Sequence, residues 1–406
     1  GLRVLLLEQS ISSLQGMGFR VTDIRPRRAF MRVADDGALA GLKTIDLRDW
    51  RGASTLLPPT NEGMHPWPVS HPPHWRNDET VASVIIETPQ YGSFTPIIEC
   101  EFDLAYSPLL QWSHGQGQVM FCQLDVTDRL GSDPVAERII ANLLHTLDDQ
   151  PQAAQQRTVV YRGGPEDRTY LEKLGVAIED DSVELDPAKH ILVLGGDDAS
   201  DAPMAPNALQ PFVRSGGVVL SMPAEAQALR QRLPADVRDA VEFAPQAAHR
   251  IAPSQQPNAI LRGMGPQLFR WRTFPQFTRF NMLDDLSKAQ TYLDGLVLHV
   301  PMGRGHWIFS QIDPDLLQRD HATLRRVRWN TARYYQQLLT NLGAQSNPKI
   351  AARLLAPAPT APLVNIEQWR IYNGAYETDL ERRDKTFPGL AQTLPVELTQ
   401  NPDDEG

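Results

Sequence analysis

Residues 115–125 read Gly-Gln-Gly-Gln-Val-Met-Phe-Cys-Gln-Leu-Asp, and residues 303–313 read Gly-Arg-Gly-His-Trp-Ile-Phe-Ser-Gln-Ile-Asp. Aligned at one register, Gly115/Gly303, Gly117/Gly305, Phe121/Phe309, Gln123/Gln311 and Asp125/Asp313 are identical. Self-similarity at long spacing marks a duplicated structural unit. Each copy is a Gly-rich turn entering a short apolar strand. Apolar residues three and four apart then predict a closing helix over 133–147 and over 321–342.

Upstream the match is looser. Leu39-Ala40-Gly41-Leu42 ahead of Trp50-Arg51 parallels Leu261-Arg262-Gly263-Met264 ahead of Trp271-Arg272. Arg3-Val4-Leu5-Leu6 parallels Gly217-Val218-Val219-Leu220. In front of its strand the second copy carries more: strands over 158–161 and 190–194, and helices over 167–174 and 207–214. The last of these ends at Ser215-Gly216-Gly217, with glycine just past a helix C-terminus. Strand–helix alternation of this kind predicts an α/β chain with mostly parallel sheets covered on both faces. Strands over 84–86, 96–103 and 119–124 extend the first sheet in antiparallel fashion.

Three segments follow: a first unit over 1–150, a second over 157–347, and an Ala/Pro-rich linker with an extended or helical tail over 348–406. The first unit lacks a counterpart of the second unit's early strands. It is expected to be N-terminally incomplete, with residues 4–7 beside an exposed sheet edge.

Composition narrows the function classes. The 406 residues hold 39 Lys plus Arg against 49 Asp plus Glu, a formal net charge of −10. No basic stripe is present, which argues against nucleic-acid binding. No apolar run reaches the roughly 18–20 residues of a membrane helix. Two cysteines, Cys100 and Cys122, sit in apolar runs. They are read as buried structural thiols.

Leu47-Arg48-Asp49-Trp50-Arg51-Gly52, His71-Pro72-Pro73-His74-Trp75-Arg76-Asn77-Asp78, the stretch 81–87 and the stretch 118–125 resemble the region after the catalytic barrel in large bacterial β-galactosidase-like glycoside hydrolases. Such regions are glutamine-amidotransferase-like, or trehalose-utilisation-like, and include the β-galactosidase trimerisation domain. The resemblance implies two flavodoxin-like units and a non-catalytic accessory role: positioning domains, building an oligomer interface or lining a substrate cleft. It implies as partners an upstream catalytic barrel, a downstream sugar-binding domain and further copies of the chain, and a secreted or periplasmic setting.

The residues themselves carry no recognisable catalytic constellation. A class I amidotransferase needs a Cys on a strand-to-helix elbow and a His after a later strand. The elbow positions carry Ser221-Met222-Pro223 and Leu7-Glu8-Gln9, and the His positions carry Asp125 and Asp313. A glycosidase needs two carboxylates flanking the scissile bond. Glu99, Glu101 and Asp103 alternate along a predicted strand, the pattern of a solvated face. His65, His71 and His74 lie in a Pro-rich loop without zinc-ligand spacing. Gly195-Gly196 follows a strand but lacks the Lys and Ser/Thr of a phosphate cradle. No metal or cofactor is therefore expected. Trp50, Trp67, His74, Trp75, Arg76 and Asn77 are candidates to face carbohydrate, since aromatic faces suit sugar C–H surfaces. Trp50 and Trp271 have a competing reading as core plugs. Two rival functions remain: an independent hydrolase using Ser221 or an unrecognised carboxylate, and a small-molecule-binding flavodoxin-like module.

Overall fold

Unbroken apolar runs such as Val-Val-Leu and Ile-Leu-Val-Leu form strands buried from both sides, because alternation would leave one face wet. Two mixed sheets result. The computed structural model describes residues 1–50, 54–57, 60–62, 69–71, 74–77, 81–149, 156–196, 206–253, 258–271, 275–283, 289–317 and 325–355.

The first half contains β1 (Arg3–Leu7), β2 (Val21–Thr22) and β3 (Ala29–Met31), then two small pairs. In these, β4 (Ser54–Leu57) runs antiparallel to β7 (His74–Asn77), and β5 (Thr60–Glu62) to β6 (Val69–His71). The sheet continues with β8 (Ile85–Glu87), β9 (Phe94–Cys100), β10 (Tyr106–His114) and β11 (Gly117–Cys122). Its order is β1-β11-β10-β8-β2, with β9 bridging β10 and β3. Only β1 and β11 are parallel. The expected parallel character is thus confined to one pair here. Strand β10, hidden in the sequence, lies between strands read as consecutive.

The second half contains β12 (Thr158–Arg162), β13 (Ile178–Glu179), β14 (His190–Leu194), β15 (Val218–Ser221), β16 (Val241–Ala247), β17 (Gln276–Met282), β18 (Gln290–Tyr292), β19 (Val297–Met302) and β20 (Gly305–Ser310). The sheet order is β13-β12-β14-β15-β20-β19-β18, parallel as far as β20. β15 sits inside it, as expected. The β16–β17 ribbon stands apart as an antiparallel pair.

Helices cover both sheets. In the first, α1 (Ile11–Gly16) lies on one face and α2 (Pro134–Asp149) on the other. In the second are α3 (Pro165–Lys173), α4 (Pro206–Arg214), α5 (Ala226–Arg232), α6 (Ala235–Arg238), α7 (Pro314–Leu317) and α8 (Arg325–Asn341). A last helix, α9 (Pro348–Leu354), falls in the stretch read as linker. It packs Ile350, Ala351 and Leu354 beside Leu14, Phe19 and Phe94 on the first sheet. The region expected to be a spacer therefore begins as core, and Ile350 and Leu354 each contribute roughly 1.5–3 kcal/mol on burial.

The two glycine-led stretches share their local geometry. Gly115 (φ 56°) and Gly303 (φ 63°) each open a two-residue turn, β10 to β11 and β19 to β20. A positive φ at that position is what tight hairpins demand of glycine. Gln123 N–H donates to Pro108 O and Gln311 N–H to Leu296 O, at matching positions. Gly41 and Gly263 both turn left-handed, at φ 77° and 78°. Isolated bridges join Arg28 to Arg48 and Arg250 to Arg270. Asn142 Nδ2 reaches Ala38 O and Ala40 O at 3.2 and 2.9 Å, and Asn341 Nδ2 reaches Ile260 O and Arg262 O at 2.8 Å each.

One register needs correction. Pairing sets Arg3 beside Gln118 and Val218 beside His306, and Gln118 and His306 are repeat equivalents. Arg3 therefore corresponds to Val218, one residue on from Gly217.

Candidate functional site

The ligand side of an open parallel sheet is the carboxyl edge of its strands. In the second sheet that edge collects Gly163-Gly164 after β12, Gly195-Gly196 after β14, Met222-Pro223 after β15, and Gln311 and Asp313 after β20. Gly164, Gly196, Pro223, Gln311 and Asp313 line a crevice of about 450 Å³ with Glu166, Asp167, Glu225, Gln276, Phe277 and Thr278.

The glycine pair has a packing cause. A Cβ on Gly195 would lie 2.2 Å from the Tyr161 hydroxyl, and one on Gly196 2.5 Å from Pro223 O. The Gly196 N–H donates to Asp167 Oδ2 at 2.8 Å, so it is not offered to an anion. Carboxylates on Glu166, Asp167, Glu225 and Asp313 surround the opening. Such a field repels phosphate and suits neutral polyhydroxylated or cationic ligands.

Ser221 does not face this crevice as a nucleophile. It is fully buried, its hydroxyl donates to Met222 O at 3.2 Å, and it accepts from Arg232 Nη1 at 3.2 Å. The same guanidinium reaches Gly196 O at 3.0 Å. A serine nucleophile needs a base in hydrogen-bond reach, and a guanidinium cannot take the proton.

In the first copy the corresponding edge is closed by its own side chains. Glu8, left-handed at φ 47°, accepts from Thr127 N–H at 2.7 Å and from the Thr127 hydroxyl. Gln9 and Gln123 bond reciprocally, at 2.8 and 2.9 Å. Asp125, at the position where an amidotransferase base would sit, accepts from Ser83 N and Oγ at 2.8 and 2.9 Å. Burial raises its pKa above the usual carboxylate value, against the pull of those two bonds. The cysteines are equally occupied with packing. Burial lifts the Cys122 thiol to about 12 and the Cys100 thiol well above its ordinary value, so neither supplies a thiolate near neutrality.

The other candidates separate. Trp50 is 2% exposed within the first core, with its indole N–H donating to Asp46 O at 2.8 Å. It therefore offers no face to a sugar, a correction that favours the core-plug reading it shares with Trp271, also 2% exposed. His74, Trp75, Arg76 and Asn77 form β7, opposite Leu57, Leu56, Thr55 and Ser54. Trp67 lies outside the described residues. Among the described residues no group of three or more His, Cys, Asp and Glu side chains is placed to hold a metal, and no helix is long and apolar enough to cross a membrane.

The acidic alternation at 99–103 is also corrected. β9 ends at Cys100, and the chain then turns left-handed at Glu101, Asp103 and Leu104. The three acids therefore do not share a strand face. Glu99 points inward and is 0% exposed. Its carboxylate accepts from Arg32 Nε at 2.5 Å, Arg333 Nη2 at 2.9 Å and Gln267 Nε2 at 3.0 and 3.2 Å. Around this clasp Gln336 donates to Gly92 O and Phe94 O, Gln337 to Thr95 Oγ1, and Arg262 to Asp36. Ser93 and Ser346 hydroxyls meet at 2.7 Å. The first copy is thus bolted to α8 of the second through buried polar groups. Sequence reading missed these residues because Arg333, Gln336 and Gln337 lie on the face of α8 opposite Tyr334, Leu338 and Leu342, where the 3.6-residue period predicts a solvated stripe.

No family model matches the chain, and no curated protein matches it. Solved structures of glycoside hydrolases are distantly similar over about half of it. An exo-β-1,4-mannosidase from Opitutaceae bacterium strain TAV5 shows 18% identity and a TM-score of 0.28, covering 48% of this chain and 38% of that one. A β-galactosidase from Bacillus circulans sp. alkalophilus shows 13% identity and a TM-score of 0.27, covering 52% and 35%. An α-L-fucosidase from Paenibacillus thiaminolyticus shows 12% identity and a TM-score of 0.26, covering 55% and 36%. The chain spans well under half the length of these proteins.

Proposed function

We propose that this chain is a non-catalytic, domain-positioning part of a multidomain glycoside hydrolase of the β-galactosidase-like kind. The observation that carries the reading is the buried clasp at Glu99. This polar cluster, centred on a fully buried carboxylate, joins the two copies into one body, which is what a spacer between working domains requires. The sequence resemblance at 47–52, 71–78, 81–87 and 118–125 supplies the enzyme class. Ser221 spent on Arg232, and both thiols held protonated, weigh against the rival reading of an independent hydrolase. The test is to incubate the purified chain with chromogenic β-galactosides, β-mannosides and α-fucosides. Release at the buffer rate is expected, and turnover that scales with protein and survives repurification would defeat the proposal.

A second reading is favoured by the crevice at the carboxyl edge of the second sheet: a binding module for a small polyhydroxylated ligand. A ligand-dependent rise in melting temperature, abolished by Asp313→Asn, would select it. No shift with any sugar up to millimolar levels would remove it.

A further inference from the structure

Gln123 and Gln311 occupy the same point of the repeat, one residue past β11 and one past β20. Both are buried, at 2% and 3% exposure, yet their amides are bonded differently. In the first copy Glu8 N–H donates to Cys122 O, which keeps the chain beside β11. Gln123 and the Gln9 backbone then exchange two bonds: Gln9 N–H donates to Oε1 at 2.8 Å, and Nε2 to Gln9 O at 2.9 Å. Arg3 corresponds to Val218, so Pro223 and Ala224 stand where Glu8 and Gln9 stand. Proline has no N–H. The carbonyl of Ser310, counterpart of Cys122, therefore receives no N–H from residue 223, and Gln311 turns its own Nε2 onto it at 3.1 Å. Among the described residues nothing donates to Gln311 Oε1. One proline thus converts a closed amide pair into a buried side chain with an unused acceptor, and that side chain lines the crevice at the carboxyl edge.

The rest of the lining shares this bias. Pro165, Pro223 and Pro314 offer no backbone donor. The Gly196 N–H is taken by Asp167. Among the described residues no Lys or Arg lines the crevice, while four carboxylates do. Acceptors predominate, so a ligand that satisfies them brings hydrogen-bond donors and a positive charge of its own. The crevice volume of about 450 Å³ lies within the range of small-molecule sites.

We propose that the crevice binds a protonated amino sugar, with its ammonium group among the carboxylates and a hydroxyl donating to Gln311 Oε1. The inference rests on the second reading above, that this crevice takes a small polyhydroxylated ligand, and it names the class.

The test is calorimetric titration of the full chain at pH 6 and low salt with glucosamine, N-acetylglucosamine and cyclohexylamine. N-acetylglucosamine keeps the ring and loses the charge; cyclohexylamine keeps the charge and lacks the hydroxyls. Glucosamine should bind saturably and at least tenfold more tightly than either. Gln311→Met keeps the length and removes the acceptor, and it should bring glucosamine down to the level of cyclohexylamine. Glu225→Gln, at an exposed position, should weaken glucosamine about threefold and leave N-acetylglucosamine unchanged. Each variant is read against its own melting curve, and the exposed Glu225 keeps the test decisive should Gln311→Met not fold. Equal affinity for glucosamine and N-acetylglucosamine overturns the inference and leaves the sugar-site reading standing. Cyclohexylamine binding as tightly as glucosamine also overturns it, since the acids would then attract any cation. Undiminished glucosamine preference in a folded Gln311→Met chain does the same. Absence of saturable binding by all three removes the inference and the reading together.

Discussion

Replacing Glu99 by alanine removes the centre of the clasp and leaves Arg333, 4% exposed, as a buried cation without its carboxylate. Arg32, at 13% exposure, loses the same partner and has some access to water. Breaking a buried ion pair by deleting one partner costs about 3–5 kcal/mol, most of it the desolvated charge left behind. With unfolding entropy of large domains setting about 2 °C per kcal/mol, Glu99→Ala should melt roughly 6–10 °C below the parent. Glu99→Gln keeps the shape but loses charge-assisted bonds, each worth about 1.5–3 kcal/mol, so it should fall between the two. The double variant Glu99→Met/Arg333→Met is decisive. Removing Glu99 and Arg333 together leaves only Arg32, which has some access to water, so the double variant should recover at least half of the single-variant loss. The assay is urea unfolding followed by circular dichroism, with amide exchange at Trp50 and Trp271 reading the two cores separately. In Glu99→Ala the two halves should also uncouple into distinct transitions. A Glu99→Ala chain within 1 kcal/mol of the parent, or additive losses in the double variant, would refute the argument.

Three further outcomes follow from the geometry. Asn142→Ala and Asn341→Ala each strip two carbonyls of their donor, so each should cost about 1–3 kcal/mol in urea titrations; equal loss is expected in the two copies, and a neutral Asn341→Ala would deny the clamp its role. Cys100 and Cys122 should resist a thiol reagent at pH 8 in the native chain and react at once in denaturant, with native labelling faster than global opening as the contrary result. Burial holds His299 neutral, its pKa lowered to about 4, beside His306 at 2.9 Å, also lowered. Here the unfolded chain binds the proton first, so stability is complete above about pH 6.5 and declines as pH falls toward 4; His299→Gln should flatten that slope, and an unchanged slope would show other groups to be responsible.

The parts of this fold that the sequence revealed are those where chemistry forces one residue type. Glycine at 115 and 303 is demanded by a left-handed turn, so the repeat could be read directly. Apolar strands carry no such mark. Arg-Val-Leu-Leu-Leu can slide by one residue against Gly-Val-Val-Leu without loss of pattern, and only the pairing with β11 and β20 fixes the register. β10 was hidden because Pro108 interrupts a run that is otherwise apolar, and a proline argues against a strand; here its carbonyl still serves Gln123, next to a bulge. The β16–β17 ribbon was hidden in the same way by Pro245. Glu99 was misread because alternating acids imply a wet face, and nothing local announces that Arg333 will arrive from a helix far along the chain. Long-range ion pairs are the least legible part of any sequence, since neither partner's neighbours encode the meeting.

The closed strand end in one copy and the open crevice in the other have a common cause. A crevice at the carboxyl edge of a parallel sheet is walled by the loops of neighbouring strands. In the second copy those walls are Gly163-Gly164 and Gly195-Gly196, which leave β12 and β14. The first copy has neither strand among its described residues, so the loops that would build its crevice have no origin. What remains at the end of β1 is a cramped space, filled by the Glu8–Thr127 and Gln9–Gln123 bonds.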